Sequence, residues 1–199
     1  MTVKAWALKP ADLKPLGRDG RLLLAARCAL RIEPWRPAAA TELWNDGLAL
    51  VVAAAWAIPP AASDVAARAR ALTNLGAVAS HRLAATDEPL GRCQNHAMAT
   101  LAAAIEACAA VDPTALAKAV IGAAKLAASI AAMWAHAGRV RVDGDPVDIA
   151  CTTAWDAIRA DIKPLAADAG GLATATDRVA ALRAVAPLWP GGAPAWSAP

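Results

Sequence analysis

Residues 98–138 read MATLAAAIEACAAVDPTALAKAVIGAAKLAASIAAMWAHAG, and this stretch decides the fold of the 199-residue chain. On both sides of Asp112-Pro113 the larger apolar side chains recur at three- and four-residue steps, which is the period of an α-helix. Aspartate followed by proline is the pattern of an N-cap and a first helical position. The stretch therefore predicts two long helices, one ending near Ala110 and one running from Pro113 to His136, closed by Gly138.

The faces of these two helices consist almost entirely of alanine and glycine. Small side chains let helices pack closely and leave few voids. We therefore expect both helices to lie at the centre of a helical bundle. The alternative is that one such face is a surface for a partner or for self-association.

Helical spacing, capping residues and prolines predict the rest of the architecture. The predicted helices are 21–33, 40–57, 63–85, 87–110, 113–136, 147–165 and 176–185. Residues 1–19 are expected to be irregular, 167–171 (ADAGG) to be a linker, and 186–199 to be a proline- and tryptophan-rich tail. The prediction is a single all-α domain, an antiparallel alanine-rich bundle or array of six to seven helices.

Two local patterns need interpretation. Gly47 lies inside a helical pattern that continues on both sides, so we interpret it as a close helix contact, at a cost of about 1 kcal/mol against alanine. Residues 139–149 (RVRVDGDPVDI) would suit a short hairpin turning at Asp143-Gly144, but Asp145-Pro146 favours a helix start. Asp143, Asp145 and Asp148 would also suit a cation, although helix capping accounts for two of these carboxylates.

Composition and charge exclude several classes. Hydrophobic residues make up 58% of the chain and charged residues 19%, so the chain is not disordered. The net charge of +3 is dispersed, without the dense basic stripe of a nucleic-acid surface. The apolar runs at 48–58 and 119–135 are too short or too polar for a spanning helix of about 20 residues, which predicts no membrane partner.

The cysteines indicate the compartment. Cys28, Cys93, Cys108 and Cys151 are far apart inside helical patterns, and the N-terminus carries no signal-peptide pattern. These features predict buried free thiols in a cytoplasmic protein. Eight tryptophans without tyrosine or phenylalanine fit the codon bias of a GC-rich bacterial genome.

Cys93 and His96 form the most suggestive local pair for chemistry, because at i and i+3 both side chains face the same way. A metal site there would need a third ligand, from Cys108, His81 or His136. The alternative is a core cysteine beside a hydrogen-bonded histidine. No Gly-rich phosphate loop, G-x-S-x-G, H-E-x-x-H or C-x-x-C motif is present, which argues against an enzyme, and no cofactor is predicted.

Candidate partner-binding residues lie near prolines and on the first helix. Trp35, Trp189 and Trp196 lie near prolines in loop or terminal segments, where an exposed tryptophan would serve as an interface anchor; the alternative is buried packing. Arg27 and Arg31 lie one helical turn apart and would form a basic recognition edge; the alternative is ordinary surface charge.

Residues 25–35 (AARCALRIEPW), the alanine-rich helix at 48–57 (LALVVAAAWA) and residues 99–120 (ATLAAAIEACAAVDPTALAKAV) together resemble helical immunity proteins of bacterial polymorphic toxin and conflict systems. The resemblance covers about residues 22–135 and rests on Arg27, Cys28, Arg31 and Pro34. The second half of the chain beyond this range has no counterpart in that family. It implies a partner that is a toxin or another defence-system component.

Three functions follow as hypotheses. The leading one is a non-enzymatic protein-binding module of a bacterial toxin or defence system. The second is a metal protein or enzyme centred on Cys93 and His96. The third is a structural protein that assembles with itself through its alanine faces.

Overall fold

Eight α-helices and three short 3-10 segments make up the regular structure of the residues that a computed structural model describes. These residues are 7–57, 60–138, 144–194 and 197, except for the side chains of 168–170. No strand occurs among them, so the predicted all-α class is confirmed. The α-helices are α1 (Arg18–Ile32), α2 (Thr41–Ala54), α3 (Ala62–Leu83), α4 (Glu88–Cys108), α5 (Pro113–His136), α6 (Pro146–Ala160), α7 (Ile162–Thr174) and α8 (Arg178–Ala184). The 3-10 segments are Pro10–Leu13, Glu33–Trp35 and Ala38–Ala40.

α1 lies at the centre of the bundle, where twelve of its fifteen residues are buried. It contacts α2, α4, α5, α6, α7 and α8. The alanine-rich helices α4 and α5 pack against each other and against α1, as their small side chains predict. Trp35, at the end of the α1 region, meets Trp134 of α5 edge to face with ring centroids 4.6 Å apart.

α5 is long and apolar enough, by length and composition alone, to cross a membrane. In this fold 56% of its most apolar window is buried inside the protein. A core helix of a globular protein has the same properties. The apolarity of α5 is therefore accounted for by its packing on α1, α4 and α6.

Four aspartates cap the helices that they precede. Asp112 accepts a hydrogen bond from the Ala115 amide at 2.7 Å, and Asp145 accepts one from Val147 at 2.9 Å. Asp87 and Asp177 do the same for α4 and α8. Gly138 follows α5 with a φ of 71°, the left-handed conformation that ends many helices.

The start of α3 differs from the prediction. The helix predicted at 63–85 begins at Ala62, and its N-cap is Ala61 without a side-chain hydrogen bond, so the polar residues Ser63 and Asp64 lie inside the helix. α1 likewise begins at Arg18, so Gly20 lies in its first turn rather than before it.

The region from 147 to 171 contains two helices where one helix and a linker were predicted. α6 ends at Ala160, and α7 begins at Ile162 and continues through 167–171. Pro164 explains the break, because its ring excludes the carbonyl of the residue four positions earlier, which is Ala160. Pro164 is tolerated within the first turn of α7, where amide groups have no helical acceptor. The predicted linker is therefore wrong.

Glycines allow the closest helix contacts. A Cβ added to Gly47 would lie 3.0 Å from Ile105 Cδ1 of α4, which confirms the predicted close contact. Gly76 of α3 is tighter, since an added Cβ would lie 2.9 Å from Met98 Cβ. A Cβ added to Gly91 of α4 would lie 3.1 Å from Leu83 Cβ. α3 and α4 thus approach each other through one glycine on each helix.

The remaining predictions concern two irregular regions. Residues 139–143 lie outside the described residues, so the hairpin alternative and Asp143 cannot be placed. Asp145 caps α6 as expected from the helix alternative. The described part of the tail, 186–194 and 197, contains no helix, in agreement with its prolines.

Candidate functional site

Arg27, Arg31 and Asp161 form an ion-pair cluster inside the protein. Arg27 Nη2 lies 2.8 Å from Asp161 Oδ1, and Arg31 Nη1 lies 2.6 Å from Oδ2. Each of the three side chains is at most 1% exposed. The one-turn spacing on α1 directs both guanidinium groups toward the same side, and the break between α6 and α7 places the carboxylate between them.

The same arginines bind the C-terminal part of the chain. Arg27 donates to the carbonyl oxygens of Leu182 at 2.6 Å and Ala186 at 2.8 Å. Arg31 donates to Leu188 O at 2.8 Å and Ala157 O at 2.7 Å. Charge-assisted hydrogen bonds of this kind satisfy carbonyl groups at the end of a helix. The cluster therefore fastens α8 and the tail to α1 and α6.

These positions correct the predicted basic recognition edge. Arg27 and Arg31 are neither surface charge nor accessible to a partner, and Trp35 is fully buried. The prediction was wrong because the sequence spacing of two arginines one turn apart is the same whether their side chains face solvent or a buried carboxylate. Trp189 is half-buried, with the Arg31 guanidinium 5.8 Å from its ring. Trp196 lies outside the described residues.

Arg18, another basic residue of the N-terminal third, also packs inside the protein. Arg18 donates to Ala54 O at 2.7 Å and to Cys108 O at 3.1 Å. These two carbonyls lie at the ends of α2 and α4, where intrahelical partners are lacking. One side chain at the start of α1 thus caps two other helices.

Within the described part of the chain, no third ligand joins Cys93 and His96 in a group that could hold a metal ion. Cys93 is buried, with its Sγ 4.0 Å from the carbonyl of Ile130. His96 is partly exposed and its Nδ1 lies 3.1 Å from the carbonyl of Arg92. The described residues contain no group of three or more His, Cys, Asp or Glu that could hold a metal ion. The geometry matches a core cysteine beside a hydrogen-bonded histidine.

The four thiols are all buried and unpaired. Burial is the largest cause that raises the pKa of Cys28 and of Cys93 to about 12, and that of Cys108 to about 11. Burial also raises the pKa of Cys151. The thiolate is the nucleophilic form of cysteine, so these thiols are poor nucleophiles at neutral pH.

The most exposed long element is α3. Only four of its 22 residues are buried, and α4 covers them almost alone. We call its exposed positions the α3 outer face: Ala62, Ser63, Asp64, Ala66, Ala67, Arg68, Arg70, Ala71, Thr73, Asn74, Ala77, Val78, His81 and Arg82. Val78, which is 46% exposed, is one of three exposed large apolar side chains among the described residues.

The charge of α3 is basic. Arg68, Arg70 and Arg82 are exposed along the helix, and Asp64 is its single acidic residue. Sequence reasoning did not select this helix. The available signal was its narrow stripe of large apolar residues, chiefly Val65 and Leu72, which predicts burial on one side only.

No family model, curated protein or solved structure matches this chain.

Proposed function

We propose that this chain is a non-enzymatic protein-binding domain whose α3 outer face contacts the partner. The single observation that carries the proposal is the position of α3, a 22-residue helix covered on one side by α4 and open on the other. A rigid helix with small side chains and spaced arginines offers a surface on which another protein can pack closely.

The chemistry of the face specifies the partner surface. Alanines allow close approach, Val78 adds an exposed apolar contact, and Arg70 and Arg82 are both exposed, about three turns apart along the helix. Such a face is complementary to a shallow groove with acidic residues at its edges. In line with the resemblance of residues 22–135, we propose that the partner is a toxin or another defence-system protein in the bacterial cytoplasm.

The absence of reactive cysteines favours binding over covalent chemistry. Burial keeps each thiol protonated at neutral pH and raises the pKa of Cys93 to about 12. No observation favours the metal hypothesis at Cys93 and His96. None favours the self-assembly hypothesis either, because the alanine faces of α4 and α5 are occupied within the fold.

Co-purification from the native host tests the proposal. The tagged chain is compared with an Arg70→Glu/Arg82→Glu variant, and with a Lys14→Glu/Lys163→Glu control that reverses two exposed charges elsewhere. We expect native mass spectrometry to find one protein bound to the wild type and to the control, and at least tenfold less bound to the α3 variant. Equal recovery with the α3 variant would exclude α3 as the binding surface.

A further inference from the structure

A cavity of about 630 Å³ opens between the N-terminal 3-10 turn (Pro10–Leu13), the start of α1 and the first half of α5. This volume lies within the range of about 300–1,000 Å³ that is usual for small-molecule sites. The α5 side is formed by residues at helical spacing: Thr114, Ala117, Lys118, Ile121, Gly122 and Lys125. α3 does not line this cavity.

The floor of the cavity is apolar. Leu8 and Pro10 contribute from the N-terminal side, and Ala117 and Ile121 contribute from α5. Gly122 has no side chain, and a Cβ added to it would meet no atom within 4 Å. The space above this part of α5 is therefore open and is available to the hydrocarbon part of a ligand.

Four cationic side chains surround the floor. Lys9, Lys118 and Lys125 are exposed, and Arg21 is held in place because its Nη1 donates to Pro113 O at 3.1 Å. Among the described residues that line the cavity, none is Asp or Glu. Like charges around one apolar cleft produce a positive potential that attracts anions.

The carboxylates that are adjacent in sequence have other partners. Asp12 accepts a hydrogen bond from the Lys9 amide at 2.8 Å. Asp112 accepts one from the Ala115 amide at 2.7 Å, as the cap of α5. Neither carboxylate lines the cavity, so no acidic side chain of the described lining neutralises the four cations.

We propose that this cavity binds a small amphipathic anion, an unbranched hydrocarbon chain that carries one carboxylate or phosphate. The chain packs on Ala117 and Ile121 in the space left by Gly122, and the head group pairs with Lys118 and Lys125. This site is independent of the proposed protein-binding face, because the two use different helices.

Calorimetric titration of the full chain tests the proposal, with decanoate and decyl phosphate as probes. Decanol lacks the charge, acetate lacks the chain and decyltrimethylammonium has the opposite charge. We expect saturable binding of one molecule of decanoate or decyl phosphate per chain, and at least tenfold weaker binding of the three controls. Comparison of the two anions then identifies the preferred head group.

Two variants locate the binding. Gly122→Leu fills the cavity without a protein collision at Cβ, so it should abolish binding while thermal unfolding shows a retained fold. Lys118→Gln/Lys125→Gln should weaken binding about tenfold, since one exposed charge contact accounts for about a two- to fivefold change. The control Lys14→Gln/Lys163→Gln should bind as the wild type does.

Three results would overturn the proposal. The first is that neither anion gives a saturable heat of binding at 1 mM. The second is that the chain binds decanol and decanoate with equal affinity. The third is that a folded Gly122→Leu variant binds the anion as the wild type does. The last result would place the binding of the anion elsewhere on the surface.

Discussion

At the scale of single residues, the buried carboxylate of Asp161 has the greatest consequence for stability. It balances one of the two positive charges that α1 carries into the core, and the arginine donors left over bind carbonyl oxygens of α6, α8 and the tail. The cluster therefore joins four parts of the chain that are distant in sequence. Arg27 and Arg31, which seemed suited to a partner, stabilise the fold instead.

Replacement of Asp161 by asparagine should strongly destabilise the protein. The variant keeps the side-chain shape but leaves two buried guanidinium groups without a counter-charge. Removal of one partner of a buried ion pair costs about 3–5 kcal/mol. Urea denaturation measures the free energy of unfolding, and Asp156→Asn is the control because that exposed pair with Arg159 should contribute less than about 1 kcal/mol. A loss for Asp161→Asn no larger than that of the control would contradict this role.

The buried thiols predict how stability depends on pH. The folded-state pKa is raised to about 12 for Cys28 and Cys93 and to about 11 for Cys108, above the ordinary value of 9.0. Below pH 9 the thiols are protonated in both states, and their contribution is fully present. As pH rises above 9 the unfolded chain loses these protons first, so stability falls toward pH 12.

The chain contains no tyrosine, so cysteine ionisation dominates between pH 8.5 and 10. We expect a loss of roughly 1 kcal/mol per buried thiol at pH 10, measured by urea denaturation under reducing conditions. A Cys28→Ala/Cys93→Ala/Cys108→Ala variant, if folded, should lose most of this dependence. An unchanged free energy of unfolding in the wild type at pH 10 would contradict the burial of the thiols.

At the scale of helices, the contact between α3 and α4 depends on glycine. The Cβ of an alanine at position 76 would lie 2.9 Å from Met98 Cβ and 3.2 Å from the backbone of Asn95. Position 122 on α5 has open space instead. Replacement of glycine by alanine at the two sites therefore separates the contribution of helix propensity to stability from that of packing.

Gly76→Ala should destabilise the protein by about 1–3 kcal/mol, because overpacking moves α3 away from α4. Gly122→Ala should stabilise it by up to about 1 kcal/mol, because alanine favours the helix and meets no obstacle. Thermal and urea unfolding of both variants measure the difference. If both variants are stabilised, α3 and α4 do not approach each other as described.

Helices were well predicted from sequence where local signals coincide. α4 and α5 have an aspartate cap followed by an apolar period, and Asp87 and Asp112 act as expected. Prediction failed around 161–171, where one helix at 147–165 followed by a linker at 167–171 was expected, whereas Pro164 lies in the first turn of a second helix that continues through the linker. Packing on α1 overrides the low helix propensity of the glycines there, and sequence spacing contains no information about that contact.

At the scale of the whole molecule, sequence could not distinguish the faces that the fold uses from those that it leaves open. The alanine faces of α4 and α5 are buried within the bundle, whereas α3 packs almost entirely on α4, with a minor contact to α2. The basic residues of the N-terminal third also differ in their surroundings. The side chains of Arg18, Arg27 and Arg31 form hydrogen bonds inside the protein, whereas that of Lys9 is exposed. Which side a residue faces depends on tertiary packing rather than on its local pattern.

We expect the isolated chain to be a monomer. The α3 outer face is the main unpartnered helix surface among the described residues, and its net positive charge makes two copies repel each other. Light scattering after size exclusion should give a mass near 20.2 kDa at concentrations up to 0.5 mM. A stable dimer that Arg70→Glu/Arg82→Glu dissociates would instead support self-assembly through α3.

Site-specific photo-crosslinking in the native host tests most directly the claim that α3 binds another protein. A photoreactive amino acid replaces Ala71 on the α3 outer face, and in a control chain it replaces the exposed Thr152 of α6. If the α3 outer face binds a partner, position 71 gives one discrete adduct and position 152 gives none, and the adduct is lost in the Arg70→Glu/Arg82→Glu background. No adduct from position 71, or the same adduct from both positions, would contradict it.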